Sequence, residues 1–193
     1  LKKSSTWRAN DMGKIIYMED RINGLHCYTP EMCRRMKELA AVADLITPNL
    51  TEASILLGAE YPSAPLRQFE ANRLVAKLSE LGPRLVTVTG VELADGTISN
   101  LGYDRDRGDY WRVDCNYVPA SYPGTGDIFA SVMVGSLLTG DSLPMAIERA
   151  TRFLEIAIRT TFSYGSDTRY GVMLESCLGW LSTDQTFDRY RLL

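Results

Sequence analysis

Arg84-Leu85-Val86-Thr87-Val88-Thr89-Gly90 is a run of β-branched and apolar residues with no regular polar alternation. That composition suits a strand covered on both faces, as in a sheet between two layers of helices. Working upstream, Gly82-Pro83 is a stop signal for a helix from about Leu66 to Leu81, itself preceded by a proline- and alanine-rich loop, Tyr61 to Pro65. Before that loop, Leu45-Ile46-Thr47 reads as a short strand halted at Pro48. Asn49-Leu50-Thr51-Glu52 then opens a helical run through Leu57, closed by Gly58. An earlier helix is announced by Thr29-Pro30-Glu31, a cap, a first-turn proline and an acid, with Met32, Met36, Leu39, Ala40 and Ala43 on one face.

Downstream, Gly96 and Gly102 punctuate a pair of shorter strands, and Tyr110-Trp111-Arg112-Val113 is another. Three helices follow, over about Gly126–Thr139, Pro144–Thr161 and Gly171–Leu181, separated by Gly140-Asp141-Ser142 and Tyr164-Gly165-Ser166. Strands interspersed with helices predict an α/β domain with a mainly parallel central sheet and helices on both faces. Ligands then gather at the carboxyl ends of the strands.

With 193 residues and 45% apolar character, the chain can bury one substantial core and is expected to form a single domain. The formal charge of −3 comes without a basic run, so nothing in the sequence supports a nucleic-acid surface or a polybasic membrane anchor. No apolar run approaches the roughly 20 residues that cross a bilayer. The start, Leu1-Lys2-Lys3-Ser4-Ser5-Thr6, lacks the apolar centre of a secretory signal, and a cytoplasmic location is expected. Residues 1 to 10 show no periodicity and begin with leucine, the expectation for a truncated or imperfectly represented segment. Cys27, Cys33, Cys115 and Cys177 form no C-x-x-C pair, and His26 is the only histidine. Buried free thiols are therefore expected rather than a zinc site.

Tyr122-Pro123-Gly124-Thr125-Gly126-Asp127 runs directly into the apolar stretch Ile128 to Leu138. Two glycines at a helix start let backbone N–H groups converge at the positive end of the helix dipole, which makes an anion site suited to phosphate. Asp127 places a carboxylate at that point, sensible if it takes a proton from a hydroxyl attacking a phosphoryl group, though a capping role explains it equally well. Thr47-Pro48-Asn49-x-x-Glu52 and Thr89-Gly90 sit at the ends of two predicted strands and can face the same cleft. Asn49 and Glu52 offer hard oxygens for Mg²⁺, directly or through water. In isolation the hexapeptide reads as well as a helix start with a stabilised loop.

Taken together, Ile46-Thr-Pro-Asn-Leu-Thr-Glu52, Leu85-Val-Thr-Val-Thr-Gly90 and Gly124-Thr-Gly-Asp-Ile-Phe-Ala130 resemble, in order and approximate spacing, the pyridoxal kinases of the ribokinase-like superfamily. The similarity runs from about Asp11 to Leu181 and includes Gly135-Ser-Leu-Leu-Thr-Gly140. It implies a three-layer α/β/α fold and transfer of the γ-phosphate of ATP to the 5′-hydroxymethyl group of pyridoxal, pyridoxine or pyridoxamine, with Mg²⁺ and a monovalent cation such as K⁺. Asp127 would be the catalytic base, and the amides of Gly124, Thr125 and Gly126 would face the transferring group. Thr47, Asn49, Glu52, Thr89 and Gly90 would surround the triphosphate and its metal, with Thr47, Glu52 and Asp11 as the cation-site residues. Asp11, Gly13 and Tyr17 match the end of a loop enclosing nucleotide and cation, and Tyr117 and Val118 would lie against adenine. Pairing of two copies is implied as well.

The chain also departs from that family. The family's longer amino end carries its first strands, the vitamin-ring contacts and a partial lid, and an apolar strand ending in Asp-Pro is replaced by Ser4-Ser5-Thr6-Trp7-Arg8-Ala9. The expectation is a domain lacking its amino-terminal portion. A hydroxymethylpyrimidine kinase would share fold and anion turn, but that branch tends to carry cysteine where Asp127 stands. A sugar or nucleoside kinase fits Thr-Pro-Asn-x-x-Glu less well, and a non-catalytic nucleotide-binding remnant is the alternative outside enzymology.

Overall fold

The computed structural model describes residues 29–116 and 118–193, together with the strand residues 15–16, 21–22 and 25–26. Asp11, Gly13, Tyr17, Cys27 and Tyr117 lie outside the described residues. In chain order the strands are β1 (Ile15–Ile16), β2 (Arg21–Ile22), β3 (Leu25–His26), β4 (Leu45–Ile46), β5 (Leu85–Glu92), β6 (Ile98–Asp104), β7 (Asp109–Asp114) and β8 (Tyr190–Leu192). The helices are α1 (Pro30–Ala40), α2 (Leu50–Leu57), α3 (Gln68–Ser79), α4 (Thr125–Leu138) and α5 (Leu143–Ser163).

Local signals in the sequence act as chemistry dictates. Thr29 Oγ1 accepts from the Met32 amide at 3.2 Å to start α1, and Gly58 ends α2 in the left-handed region at φ 64°. Met36, Ala40 and Ala43 are buried on the predicted face of α1. They join Ala53, Leu56, Val75 and Leu78 of α2 and α3 against Ile46, Val86 and Val88 of the sheet. The alternate residues Leu45 and Leu85 pack on the opposite face with Phe129 and Met133 of α4 and Ala146 and Ile147 of α5. Two apolar faces on one sheet give three layers. The layers meet closely at Gly102, where a Cβ would stand 2.5 Å from Ile147 Cδ1.

The sheet runs β1-β4-β5-β6-β7-β8, and it is mixed rather than mainly parallel. Among the described strands only β1, β4 and β5 are parallel; β5 to β8 pair antiparallel. Short turns are the reason between β5, β6 and β7. Gly96 donates to Leu93 O at 2.9 Å and Gly108 to Asp104 O at 2.8 Å, and so tight a reversal can join only antiparallel neighbours. Val86 and Val88 are still fully covered, because cover on two faces depends on the layers and not on strand direction.

The helix expected over Gly171–Leu181 is absent. Gly171 sits at φ 77°, short 3-10 turns occupy Thr168–Tyr170 and Leu178–Ser182, and Val172, Leu174, Cys177 and Trp180 pack around Phe153 and Ala157 instead. Thr161 Oγ1 accepts from Met173 N at 2.8 Å, fixing the segment by a tertiary contact. Of the three described cysteines Cys177 is buried as expected, whereas Cys33 and Cys115 are half-buried; all three are free. Among the described residues no helix is long and apolar enough to cross a membrane.

Candidate active site

The carboxyl end of β4 is stitched to β5 at Thr89, short of the strand's own end at Glu92 and where the parallel part of the sheet runs out. Thr89 N donates to Pro48 O at 3.0 Å, and Asn49 bridges Thr89 in parallel register. Beyond Thr89 the strand bulges, its register with β6 shifting between Val88 and Val91, and Gly90 takes φ 66°. Its N–H donates to Asn100 Oδ1 at 2.9 Å. Asn100 Nδ2 donates in turn to Thr151 Oγ1 at 2.8 Å, and the Thr151 hydroxyl to Ile147 O at 2.7 Å. A chain of hydrogen bonds, buried at Asn100 and Thr151, thus ties the Thr89-Gly90 corner to α5.

Against this corner stands the start of α4. Gly124 is its N-cap at φ 83°, ψ 0°, no side chain caps it, and nothing lies within 4 Å of where a Cβ at Gly124 or Gly126 would be. The need for glycine at 124 is therefore conformational. The first-turn amides of Thr125 and Gly126 have no partner within the helix and carry the positive end of its dipole. Thr125 Oγ1 donates to Tyr122 O at 3.1 Å, holding the turn.

A cavity of about 340 Å³ joins the two features, lined by Thr89, Gly90, Val118, Thr125 and Gly126 together with Ile98, Asn100, Cys115, Asn116, Phe129, Leu154 and Glu155. Its size is that of a small-molecule site. It brings together five of the residues singled out from sequence. Asp127, half-buried on the same turn, lines a second cavity of about 610 Å³ with Ile128, Ser131, Arg149, Phe153 and Leu174. The first turn of α4 therefore separates two cavities, with Thr125 and Gly126 on one side and Asp127 on the other.

Thr47, Asn49 and Glu52 line neither cavity. Asn49 Oδ1 accepts from Glu52 N at 2.9 Å, and Glu52 Oε2 accepts from Asn49 N at 2.8 Å. This is the reciprocal cap that opens α2. Glu52 is buried to 1% exposure. Thr47 Oγ1, also buried, has no hydrogen-bond partner among the described residues. Among those residues no group of three or more His, Cys, Asp or Glu gathers as a metal site.

The cavity wall includes residues that sequence reasoning passed over. Asn100, Thr151, Asn116 and Glu155 carry no motif; the available signal was Asn100 itself, a polar residue with low strand propensity inside a strand. Cys115 is the wall's ionisable thiol. Burial pushes it up to about 12, and the Glu155 and Asp114 carboxylates add to the shift.

A sequence profile of the phosphomethylpyrimidine kinases matches residues 23–171, spanning both stitched strands and the α4 turn. The chain belongs to that family. Human pyridoxal kinase is 31% identical over 137 residues, 65% of this chain and 43% of that protein. A hydroxymethylpyrimidine/phosphomethylpyrimidine kinase of Mycobacterium tuberculosis is 27% identical over 170 residues, 84% and 59% of the two chains. A Bacteroides thetaiotaomicron structure, provisionally a phosphomethylpyrimidine kinase and solved in a crystal form with pyridoxal, is 42% identical with a TM-score of 0.82, covering 90% of this chain and 62% of that one. The chain thus spans about half the length of the curated relatives it matches. Pyrimidine and pyridoxal kinases of the family stand comparably near to it.

Proposed function

We propose that the protein transfers the γ-phosphoryl group of ATP to the hydroxymethyl group of a small heteroaromatic alcohol, and that this alcohol is pyridoxal, pyridoxine or pyridoxamine. The observation that carries the reading is the start of α4: Gly124 left-handed, no side-chain cap, and Asp127 on the turn that separates the two cavities. The nucleotide occupies the cavity bounded by Thr89, Gly90 and Val118, with its phosphates toward the Thr125 and Gly126 amides. The acceptor approaches from the Asp127 side. Its oxygen attacks the γ-phosphorus, its proton passes to the Asp127 carboxylate, and the bond from that phosphorus to the ADP oxygen breaks. Preorganised amides facing the charge that builds on the phosphoryl oxygens contribute about 3 to 4 kcal/mol each in comparable sites.

The residues at the end of β4 fit a hard cation. Thr47 presents a buried hydroxyl with no partner among the described residues, and Glu52 a buried carboxylate, oxygen donors of the type Mg²⁺ accepts. These two would hold the ion, with Asp11 as the third ligand the resemblance implies. A bound Mg²⁺ supplies charge neutralisation to the phosphates. A monovalent cation beside it, a cytoplasmic location and pairing of two copies belong to the same proposal.

Hydroxymethylpyrimidine is the second reading, favoured by the family profile itself. Asp127 weighs toward the B6 vitamers, because the pyrimidine branch tends to place cysteine there. Assay of ADP release with ATP and, separately, pyridoxal, pyridoxine, pyridoxamine and hydroxymethylpyrimidine tests the choice. Turnover with the B6 vitamers is expected. Turnover with the pyrimidine alone transfers the assignment to that branch, and nucleotide binding without any turnover identifies a non-catalytic binder.

A further inference from the structure

We propose that Glu155 is a positioning residue for the base of the nucleotide, clamping the loop that walls the cavity; the inference rests on reading that cavity as the nucleotide's. The loop after β7 has little secondary structure of its own, yet it supplies Cys115, Asn116, Val118 and Ala120 to the lining. One carboxylate on α5 holds its first turn. Glu155 Oε1 accepts from the Asn116 backbone N–H at 2.7 Å and Oε2 from Asn116 Nδ2 at 2.9 Å. The pair is bidentate and charge-assisted, the arrangement that fixes orientation as well as distance.

The carboxylate is itself fixed from behind. Arg189 donates to Glu155 Oε2 at 2.8 Å, and the Glu155 side chain is only 11% exposed. The backbone that carries Arg189 is anchored one turn pair earlier on the same helix: Glu148, fully buried, accepts from the N–H groups of Asp188, Arg189 and Tyr190 at 3.1, 2.9 and 3.2 Å. Glu148, Thr151 and Glu155 recur at helical spacing of three and four, one stripe of α5. Through that stripe the helix grips the chain before β8, the Asn100–Gly90 corner and the cavity loop at once. The cavity's phosphate end, at Thr125 and Gly126, belongs to α4 and shares no hydrogen bond with Asn116. Glu155 therefore sets the base end alone.

This division makes the test selective. Dissociation constants for ATP and for inorganic tripolyphosphate, which has the phosphates without the base, are measured on the wild-type protein and on Asn116→Ala, Glu155→Gln and Arg189→Ala. Glu155→Gln should weaken ATP roughly tenfold, the loss expected from a charge-assisted hydrogen-bond pair, and leave tripolyphosphate unchanged. Asn116→Ala, on an exposed loop residue, should shift ATP in the same direction by a smaller factor with an unchanged melting temperature. In the Glu155→Gln background it should add little. Equal weakening of ATP and tripolyphosphate, or wild-type ATP affinity in Asn116→Ala and Glu155→Gln alike, overturns the positioning role. Failure of the wild-type protein to bind either probe overturns the nucleotide reading before any variant is made, so the two failures are told apart.

Discussion

Two helices begin beside the strand ends, and they begin in opposite ways. At α2 the polar groups are turned inward on each other, with Asn49 accepting from the Glu52 amide and Glu52 from the Asn49 amide. At α4 a left-handed glycine stands where a capping side chain would be. The first arrangement satisfies a helix end with its own residues and contributes stability. The second leaves donors exposed to whatever anion arrives, which is a cost in the empty protein and an attraction for phosphate. A capped start on one face of the sheet and an open start on the other show how stability and binding are assigned to different turns of the same chemistry.

The contrast can be broken first at Asp127. Asp127→Asn should lower turnover by about 10²- to 10⁴-fold while leaving ATP affinity and melting temperature near wild type; a small change in kcat would remove Asp127 from the role of base. Glu52→Gln is subtler, because glutamine still serves a capping box. If Glu52 also holds the cation, the Mg²⁺ concentration for half-maximal rate should rise roughly tenfold at unchanged stability. An unaltered Mg²⁺ profile would leave α2 as a purely structural start.

Stability measurements sharpen the same comparison. Gly124→Ala meets no neighbour and so should cost only the left-handed backbone penalty, about 1–2 kcal/mol in urea unfolding. Asn49→Ala should cost about 1 kcal/mol from the lost cap, with the melting temperature as its readout. The smallest expected effect is the titration of Cys115. Its thiol is pushed up to about 12 in the folded protein, so the folded chain keeps the proton longer than the unfolded one. The resulting stability is complete below the ordinary thiol range and is lost as pH rises from there toward 12. By pH 9 the wild-type protein should have lost less than about 1 kcal/mol relative to Cys115→Ala. Equal pH slopes for the two proteins would contradict it.

Much of this was legible locally. Thr29 before Pro30, Gly58 after Leu57, and Gly82-Pro83 after α3 mark boundaries because caps and breakers act within a turn of themselves. The glycines of the α4 turn were legible for the same reason. The segment after Gly171 was not, since its apolar spacing suits a helix while its contacts with Phe153 and Ala157 hold it irregular. Asn100, Thr151 and Glu155 were invisible as a group. Their partners lie 10 to 51 residues away along the chain, and no spacing rule reaches that far.

The sequence by itself determined the covered strand at Val86 and Val88, the helices around it, and the open glycine start of α4, all consequences of residue chemistry within a few positions. Only the tertiary structure decided that the sheet is mixed, because burial on two faces is indifferent to the direction of a neighbouring strand. It also decided that a carboxylate on α5 holds the far wall of the cavity. Those outcomes depend on which distant groups meet.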